Sequence, residues 1–375
     1  MTTLGILGGG CAGLSLGSAL AARGVAATIL ERRPAYARDR TWCFWNVQPH
    51  RFDAAITHRW SRWAVRYRGQ TVVRSAPGLE YVHVDGGRFY EHAQEALRGS
   101  SVELRLGVDV SPAATVDFER IYDTRPRELP RTVPSGDIRV LQHFRGAFVR
   151  TEAPVFDPET AMLMDFDVPQ ERGLAFVYLL PFSNREALVE ATWFSESVHD
   201  ASIYEETLAR WRKERLGIDR WTVLETERGV LPMTTERLGS ESGARVQRLG
   251  VAGGSAKPST GYAFLAIQRQ VEALAAGIER GEYDVPAARG PSELAMDRVM
   301  LDWMVRHPGD APALFLRLFD RVGARTLARF LSEQATAREQ LEVMRVVPMA
   351  SFTASTVRGA WGALRRTARD ARNAR

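Results

Sequence analysis

Three glycines near the N-terminus have the spacing of a phosphate-binding turn. Gly8, Gly10 and Gly13 follow a short apolar segment, LGIL, and precede a segment rich in Ala and Leu that is typical of a helix. In this G-x-G-x-x-G pattern, the first glycine permits a tight turn, the second lets a pyrophosphate approach the backbone, and the third allows close packing of helix and strand. A second apolar run, ATIL, ends at Glu31, whose carboxylate can accept hydrogen bonds from ribose hydroxyls. This order of elements predicts a dinucleotide site.

A second glycine turn, GGSAKPSTGY, precedes another predicted helix late in the chain. Backbone amides at such a position face an anionic group, so we expect this turn to share the cofactor with the first. The motifs do not distinguish NAD from FAD, but an N-terminal position in a chain with further motifs favours FAD. In flavin hydroxylases of this general architecture the equivalent turn usually ends in Asp, and a glycine in that place argues against an ordinary hydroxylase. The residues expected at the cofactor are Gly253, Gly254, Pro258, Thr260 and Gly261.

Two charged residues are further candidates for the cofactor site. Asp123 ends the predicted strand of the segment ERIYD, next to a proline turn. Arg40 follows the predicted strand–helix–strand unit that contains the first glycine turn. It either binds the cofactor or forms an ion pair with Asp39.

The order of predicted elements indicates a cofactor domain that is interrupted by a second domain. Elements typical of a nucleotide-binding domain occur at about 1–50 and at 249–281. Between them, apolar and polar residues alternate in a way that is typical of antiparallel strands. The segment 227–233 predicts a short strand with Pro232 as its breaker. We predict an α/β fold with a Rossmann-type FAD-binding domain, an inserted antiparallel sheet domain for the substrate, and C-terminal helices. The FAD-binding segments are 1–60, 86–125 and 245–285, the sheet domain comprises 61–85 and 126–244, and 286–375 is helical with a basic tail.

The composition describes a globular chain and limits the kinds of partner. Of 375 residues, 45% are hydrophobic and 25% are charged. No run of about 18 apolar residues predicts a spanning helix, and the first strand begins too early for a secretory signal. The two cysteines give neither a disulfide framework nor metal-ligand spacing, which fits a reducing cytoplasm. The net charge of +5 lies in residues 356–375, and no nucleic-acid-binding signature accompanies it.

Several segments, in one order over nearly the whole chain, resemble bacterial lycopene beta-cyclases of the flavin-dependent type. The resemblance implies a fold like that of p-hydroxybenzoate hydroxylase. It also implies FAD in reduced form, with NAD(P)H as electron source, and conversion of the acyclic ends of lycopene to β-ionone rings without net redox change. The segments that carry it are RTWCFW (40–45), YDTRP (122–126), LQHFRG (141–146), LMDFDV (163–168), FVYLLPFSNREALVEATWF (176–194), ERGVLPM (227–233) and KPSTGYAF (257–264).

Such a ring closure requires an acid that stays protonated near neutral pH, because it begins with protonation of a terminal alkene. Glu190 shares a strand face with mostly apolar residues, and the resemblance places it at the family's essential acidic position. Some relatives have a second acid immediately after it, whereas this chain has Ala191. Glu227 and Asp165 are secondary candidates, each of which is otherwise structural.

Three aromatic residues follow soon after the predicted strand–helix–strand unit of the first glycine turn: Trp42, Phe44 and Trp45. Aromatic faces attract cations, so these residues are candidates for binding the substrate, and at least one is expected to face it in a dry wall beside the flavin over which the cation develops. Ordinary packing at the junction of the two domains is the alternative.

Lycopene is a hydrocarbon of the bilayer, so we expect peripheral attachment at the cytoplasmic side of the membrane. Segment 311–319, APALFLRLF, is the expected dipping face, and the arginine-rich tail would contact anionic headgroups. The buried face of a C-terminal helix is the alternative for 311–319.

Two other functions remain open at this point. A flavin-dependent monooxygenase or reductase acting on a long isoprenoid would use the same cofactor turns. A carotenoid carrier without catalysis would explain neither those turns nor Glu190.

Overall fold

The computed structural model describes residues 2–109, 117–348, 350–356 and 358. The strands in chain order are β1 (Leu4–Leu7), β2 (Ala27–Glu31), β3 (Thr41–Trp45), β4 (Ile56–Trp60), β5 (Arg62–Tyr67), β6 (Gln70–Arg74), β7 (Tyr81–Asp85), β8 (Val102–Leu106), β9 (Arg120–Asp123), β10 (Arg139–Arg150), β11 (Thr160–Asp165), β12 (Leu174–Pro181), β13 (Glu186–Ser195), β14 (Thr222–Thr234) and β15 (Val246–Arg248). The helices are α1 (Cys11–Ala21), α2 (Gly86–Leu97), α3 (Ala201–Trp211), α4 (Phe264–Glu279), α5 (Pro291–Arg306), α6 (Ala311–Arg321), α7 (Ala324–Leu331) and α8 (Ala337–Met344).

A parallel sheet carries the first glycine turn. Its strand order is β15-β9-β1-β2-β8, and every neighbouring pair is parallel. The turn after β1 is therefore flanked by the carboxyl ends of β2 and β9, which is the edge where open α/β sheets bind their ligands. Helix α1 is buried along most of its length, because it packs between the sheet and α4.

A seven-stranded sheet forms the second layer, in the order β14-β10-β13-β12-β11-β5-β6. Its neighbouring strands are antiparallel except for β11 and β5. Strand β14 lies at the edge and continues through Pro232, so the prediction that Pro232 breaks a short strand over 227–233 is wrong. An edge strand tolerates a proline, because the missing backbone N–H need not face a neighbouring strand.

A small sheet, β3-β7-β4, joins the two layers. Side chains of β7 contribute to both main apolar cores: Tyr81 packs with the antiparallel sheet, and Val82 and Val84 pack with α1 and α4. The predicted segments had assigned β3 and β4 to the FAD-binding domain and β7 to the inserted domain. Their pairing shows that the two regions share this sheet.

The described part of the C-terminal region contains helices, as predicted, and the tail from residue 359 lies outside the described residues. Helix α6 packs on β5 and β6, and its apolar side chains, including Leu314, Phe315, Leu318 and Phe319, are buried in the core of the antiparallel sheet. Segment 311–319 therefore does not offer an apolar face to a membrane, and the expectation that it dips into lipid is wrong. Among the helices within the described residues, none combines the length and the apolar character needed to cross a bilayer.

Candidate active site

Four residues form one row across the antiparallel sheet. In the strand register, Tyr178 of β12 lies opposite Glu190 of β13. Gly146 of β10 lies opposite Glu190 on one side and opposite Glu227 of β14 on the other. Directly opposed residues in antiparallel strands project to the same face of the sheet. Two of the three predicted acids therefore lie on one face, with a glycine between them.

Glu190 has a buried carboxyl among apolar side chains. On its face of β13 lie Leu188 and Phe194, which pack in the main core of the antiparallel sheet. The residue is 7% exposed, and no hydrogen bond or ion pair from the described residues reaches its carboxyl. Burial, with the nearby charge of Glu227, raises the pKa of Glu190 well above its usual value. Such a carboxyl retains its proton to higher pH than an exposed glutamate, as a general acid requires.

Glu227 differs from Glu190 because polar groups hold its carboxylate. The backbone amide of Thr41 donates to Oε1 at 2.9 Å, and the Thr41 hydroxyl donates to Oε2 at 2.7 Å. Burial raises the pKa of Glu227, and the bonds from Thr41 and the charges of Arg38 and Arg40 offset only part of this rise. Of the two carboxyls, Glu227 is therefore the one that ionises first, and Glu190 is the one that keeps the proton.

Gly146 permits this arrangement by having no side chain. A Cβ at this position would collide with Cγ of Glu190 and would lie 2.8 Å from the carbonyl oxygen of Val189. The segment LQHFRG, which ends at this glycine, resembles the family in sequence, but its spacing gave no sign of a role beside the acids.

Three tyrosine hydroxyls lie next to the row. The hydroxyl of Tyr81 is 2.9 Å from that of Tyr178 and 3.3 Å from that of Tyr262. Burial raises the pKa of each of these hydroxyls, so all three remain neutral. The thiol of Cys43 hydrogen-bonds with Tyr178 and interacts with the charges of both glutamates, and burial keeps its pKa well above the usual value. These neutral groups were not predicted, because they come from separate strands and a loop.

The three aromatic residues predicted to form one wall lie on two faces of β3. Trp45 packs against Tyr81 and Tyr262, with ring centroids 5.0 and 5.9 Å apart. Trp42 and Phe44 point the other way, and the Phe44 ring stacks on Phe264 at 4.7 Å. Successive side chains of a strand alternate between faces, so only Trp45 shares the face that carries Thr41 and Cys43. The three rings therefore do not form one continuous wall, and contact of Trp42, Phe44 or Trp45 with the substrate stays a prediction.

Asp165 lies apart from the two glutamates, on the opposite face of the sheet. It pairs with Val177 across the sheet, and Val177 packs with Trp211 in a separate apolar cluster. Its carboxylate accepts a hydrogen bond from the Trp211 indole at 3.0 Å and lies 3.5 Å from the Arg215 guanidinium. These contacts give Asp165 the structural role that was the alternative to catalysis.

The first glycine turn has the local geometry that the motif requires. Gly8 has a positive φ of 94°, which a side chain would strain. A Cβ at Gly13 would collide with the carbonyl oxygen of Gly8, whereas a Cβ at Gly10 would meet nothing within 4 Å. Helix α1 begins directly after Gly10, without a side-chain cap and without an acid in its first turn. Its first amides therefore remain available to an anion.

The two acids at the strand ends flank this turn. Glu31 accepts a hydrogen bond from the Gly9 amide at 2.6 Å and another from Arg33 Nε at 3.0 Å. Burial raises the pKa of Glu31, but these bonds outweigh it and lower the pKa below its usual value. Asp123 at the end of β9 accepts hydrogen bonds from the Arg125 guanidinium, both at 2.8 Å. Sequence reasoning missed Arg33, although it lies two residues after Glu31.

Arg40 lies between the first turn and the acids. Its guanidinium is 3.8 Å from the Asp39 carboxylate, so the predicted ion pair is present at long range. Its charge also acts on Cys11, the first residue of α1, and on Glu227. The position is compatible with both roles predicted for Arg40.

The second glycine turn contacts the first. Gly250 has a positive φ of 73°, and a Cβ there would lie 2.6 Å from Cβ of Ala12 in α1. Gly253 passes close to the backbone of Arg248, and Gly254 takes a φ of 90° that favours glycine. Gly254 is thus needed for the backbone conformation, which an Asp at this position would strain.

Hydrogen bonds from Arg289 hold the segment that follows Gly254. The Arg289 guanidinium donates to the carbonyl oxygens of residues 254–256 at 2.6 to 3.2 Å and pairs with Glu333. The amides of Thr260 and Gly261 donate to the Lys257 carbonyl. Pro258, which follows Lys257 directly, is buried. Gly261 in turn lies against the side chain of Gln142 on the acid-bearing face. The segment therefore runs from the start of α1 to that face.

The fold and these contacts define an α/β protein of the p-hydroxybenzoate hydroxylase type, with a glycine turn of G-x-G-x-x-G spacing beside an acid-bearing sheet. The chain belongs to the lycopene cyclase family, because the family model described as "Lycopene cyclase protein" matches residues 4–357. A lycopene beta-cyclase from Paracoccus sp. (strain N81106 / MBIC 01143) is 28% identical over 258 residues, which cover 64% of this chain. The aligned part spans 64% of the length of that relative.

Solved structures share the fold at low sequence identity. A geranylgeranyl bacteriochlorophyll reductase-like protein from Thermoplasma acidophilum has a TM-score of 0.59 at 11% identity, covering 94% of this chain and 98% of its own. A flavin-dependent halogenase from Xanthomonas campestris has a TM-score of 0.54 at 13% identity, covering 99% and 96%. These likenesses confirm the predicted fold class.

Proposed function

We propose that this chain is a lycopene beta-cyclase. It converts the acyclic ends of lycopene, or of a related acyclic carotene, to β-ionone rings by acid–base chemistry, giving β-carotene by way of γ-carotene. Membership of the lycopene cyclase family supports the substrate class. The observation that carries the proposal is the buried carboxyl of Glu190, which lies on an apolar face and has a raised pKa.

In this reaction Glu190 donates its proton to the terminal double bond of the carotene. A neighbouring double bond then attacks the tertiary cation, and a proton leaves an adjacent carbon. The apolar neighbours of Glu190 exclude water, which would otherwise trap the cation. Trp45 is the aromatic residue of β3 on this side of the strand, and a desolvated ring contributes about 2 kcal/mol to the stability of a nearby cation.

The two glycine turns fit FAD. Space above Gly10 and the uncapped start of α1 suit a diphosphate, and Gly8 and Gly13 allow the backbone to come close. Glu31 would accept the adenosine ribose hydroxyls, since a carboxylate has about four acceptor positions. FAD bound here in reduced form, with NAD(P)H as the electron source, would supply a negative charge that stabilises the cation. The other residues that would hold the cofactor are Arg40, Asp123, Gly253, Gly254, Pro258, Thr260 and Gly261.

The enzyme works at the cytoplasmic surface of the membrane as a peripheral protein in this proposal. A long hydrocarbon is poorly soluble in water, so extraction through the aqueous phase would be costly. The arginine-rich end of the chain supports contact with anionic headgroups.

The decisive experiment compares wild-type protein with Glu190→Gln. Lycopene in liposomes is supplied to the flavin-loaded protein under anaerobic, reducing conditions, and the pigment is identified by chromatography and mass. Wild-type protein should form cyclic carotenes of unchanged mass, without consuming reductant in proportion to product. Glu190→Gln should retain flavin and lose at least about a hundredfold in rate, as expected for removal of a general acid.

Two outcomes would contradict the proposal. Near-normal turnover of Glu190→Gln would move the acid role elsewhere. Stoichiometric consumption of reductant or oxygen would instead favour a reductase or monooxygenase acting on a long isoprenoid.

A further inference from the structure

We propose that Glu190 and Glu227 act as one diacid that holds a single proton, and that Glu227 restores the proton of Glu190 after each ring closure. This inference rests on the proposed function. It adds a positioning residue for the acid and a glycine that makes the pairing possible.

The pairing depends on the one row in which β10 has no side chain. On the same face of β10, two residues before and after Gly146, lie Phe144 and Phe148. The Phe144 ring covers Gly229 of β14, since a Cβ there would lie 2.6 Å from it. Aromatic rings therefore separate β13 from β14 in the neighbouring rows. At Gly146, by contrast, no side chain of β10 stands between Glu190 and Glu227 on this face.

The two carboxyls have different surroundings. Thr41 holds both oxygens of Glu227, whereas no polar partner among the described residues holds Glu190. The arrangement therefore favours the proton on Glu190 and the charge on Glu227. The charge of Glu227 raises the pKa of Glu190, and two carboxyls that interact in this way ionise in two separated steps.

The other titratable and charged groups around the pair do not disturb this distribution. The thiol and the three phenols are neutral, because burial raises their pKa values. Arg38 is engaged by Asp85 at 2.6 Å and by Glu225 at 3.0 Å. The groups that face the pair from the adjacent elements are Arg38, Arg40, Cys43, Tyr81, Tyr178, Glu225 and Tyr262.

The proton balance closes within the pair. Glu190 transfers its proton to the terminal alkene carbon, and the pair then carries two negative charges. Ring closure forms a carbon–carbon bond, and the ring cation loses a proton from the adjacent carbon to a carboxylate of the pair. Transfer between the two carboxyls places this proton on Glu190 and leaves Glu227 ionised. No external proton, oxidant or reductant is consumed.

The test measures the pH dependence of cyclisation in flavin-loaded variants. Activity requires protonated Glu190, so it is lost as the pH rises through the pKa of that residue. Glu227→Gln removes the negative charge that helps to keep this pKa high, so the alkaline limb should move down by about one pH unit. Turnover should also fall by about a hundredfold. Glu227→Asp retains the charge and should keep the alkaline limb within a few tenths of a unit of wild type.

Gly146→Ala tests the gap, and Gly229→Ala is its matched control. Both variants add one methyl group to the same face of the sheet against a close neighbour, but only Gly146→Ala places it against the side chain of Glu190, in the row that Glu190 shares with Glu227. Gly146→Ala should move the alkaline limb in the same direction as Glu227→Gln. Gly229→Ala should keep the wild-type pH profile. An equal shift in both glycine variants would show that packing, and not the pairing, is responsible.

An infrared titration of the wild-type protein keeps the idea testable if a variant does not fold. The bands of the two buried carboxyls should titrate in two separated steps, that of Glu227 first and that of Glu190 at higher pH, because the pair shares one proton. Titration of both carboxyls in one step, or an unchanged alkaline limb in folded Glu227→Gln, would overturn the diacid. These results would leave the cyclase proposal intact, whereas an active Glu190→Gln would overturn both.

Discussion

Thr41 binds the carboxylate of Glu227 at both oxygens, through its backbone amide at 2.9 Å and its hydroxyl at 2.7 Å. Thr41 is the first residue of β3, the strand that follows the β1–α1–β2 unit with the first glycine turn. The segment RTWCFW therefore links the predicted cofactor turn to the acids. Its side chains alternate between two faces: Thr41, Cys43 and Trp45 face the acid-bearing sheet, and Trp42 and Phe44 pack on Phe264 at the start of α4.

Thr41→Val should impair catalysis through Glu227. The variant retains the backbone bond and loses the hydroxyl bond, and a hydrogen bond to a charged group contributes about 1.5–3 kcal/mol. The pKa of Glu227 should rise, so that Glu227 competes with Glu190 for the shared proton. We expect a fall in cyclisation rate of about tenfold, measured on lycopene liposomes. Thr41→Ser keeps the hydroxyl and should stay close to wild type, and an equal loss in both variants would contradict this account.

The first glycine turn offers two substitutions with different expected results. Gly10→Val adds a side chain where the protein leaves space, so the variant should fold with a normal Tm and fail to retain flavin. Gly13→Ala places a methyl group against the Gly8 carbonyl, so we expect a loss of about 1–3 kcal/mol in the free energy of unfolding. Absorbance of bound flavin and thermal unfolding separate these effects. Full flavin occupancy in folded Gly10→Val would refute the assignment of the turn.

The sequence predicted the parts of this protein whose signal is local. The glycine spacing, the alternation along β13 and the acid at the end of β2 each depend on a few adjacent residues, and the structure places these elements as expected. The pairing of Glu190 with Glu227 depends on the register of three strands that are far apart in the chain. A shift of one residue would turn either carboxyl to the other face. For this reason the position of Gly146 beside the two acids could not be predicted from the sequence alone.

The placement of Asp165 also depends on strand register, which the sequence does not show. Its sequence context resembled that of a site residue, but the register places it on the face opposite Glu190. The period of two along a strand assigns a residue to one of two faces, and it does not say which face two separate strands share. The aromatic residues of β3 differ in this respect, because the alternation that separates Trp45 from Phe44 was already present in the sequence.

Asp165→Ala should lower stability without changing the chemistry. The change leaves the indole N–H of Trp211 without its acceptor in a buried cluster, which costs about 1–3 kcal/mol. Chemical denaturation should therefore show a lower midpoint. Turnover per folded, flavin-loaded molecule should remain within about twofold of wild type. A loss like that of Glu190→Gln, at equal folded fraction, would return Asp165 to the set of catalytic candidates.

Attachment to lipid should depend on the arginine-rich end of the chain, because the structure buries the apolar face of α6. Arg358 pairs with Asp302 at 2.8 and 3.0 Å, so it belongs to the folded body, and the remaining tail arginines lie outside the described residues. Deletion of 359–375 should therefore remove the basic charge and keep the ion pair. Each arginine near an anionic surface contributes about 1 kcal/mol, so co-sedimentation with liposomes should rise with anionic lipid and fall with salt. The deletion should weaken binding at least about tenfold, and replacement of the same arginines by glutamine at full length should do the same. If the intact protein stays in the supernatant with every lipid mixture, yet cyclises lycopene supplied in those liposomes, peripheral attachment is wrong.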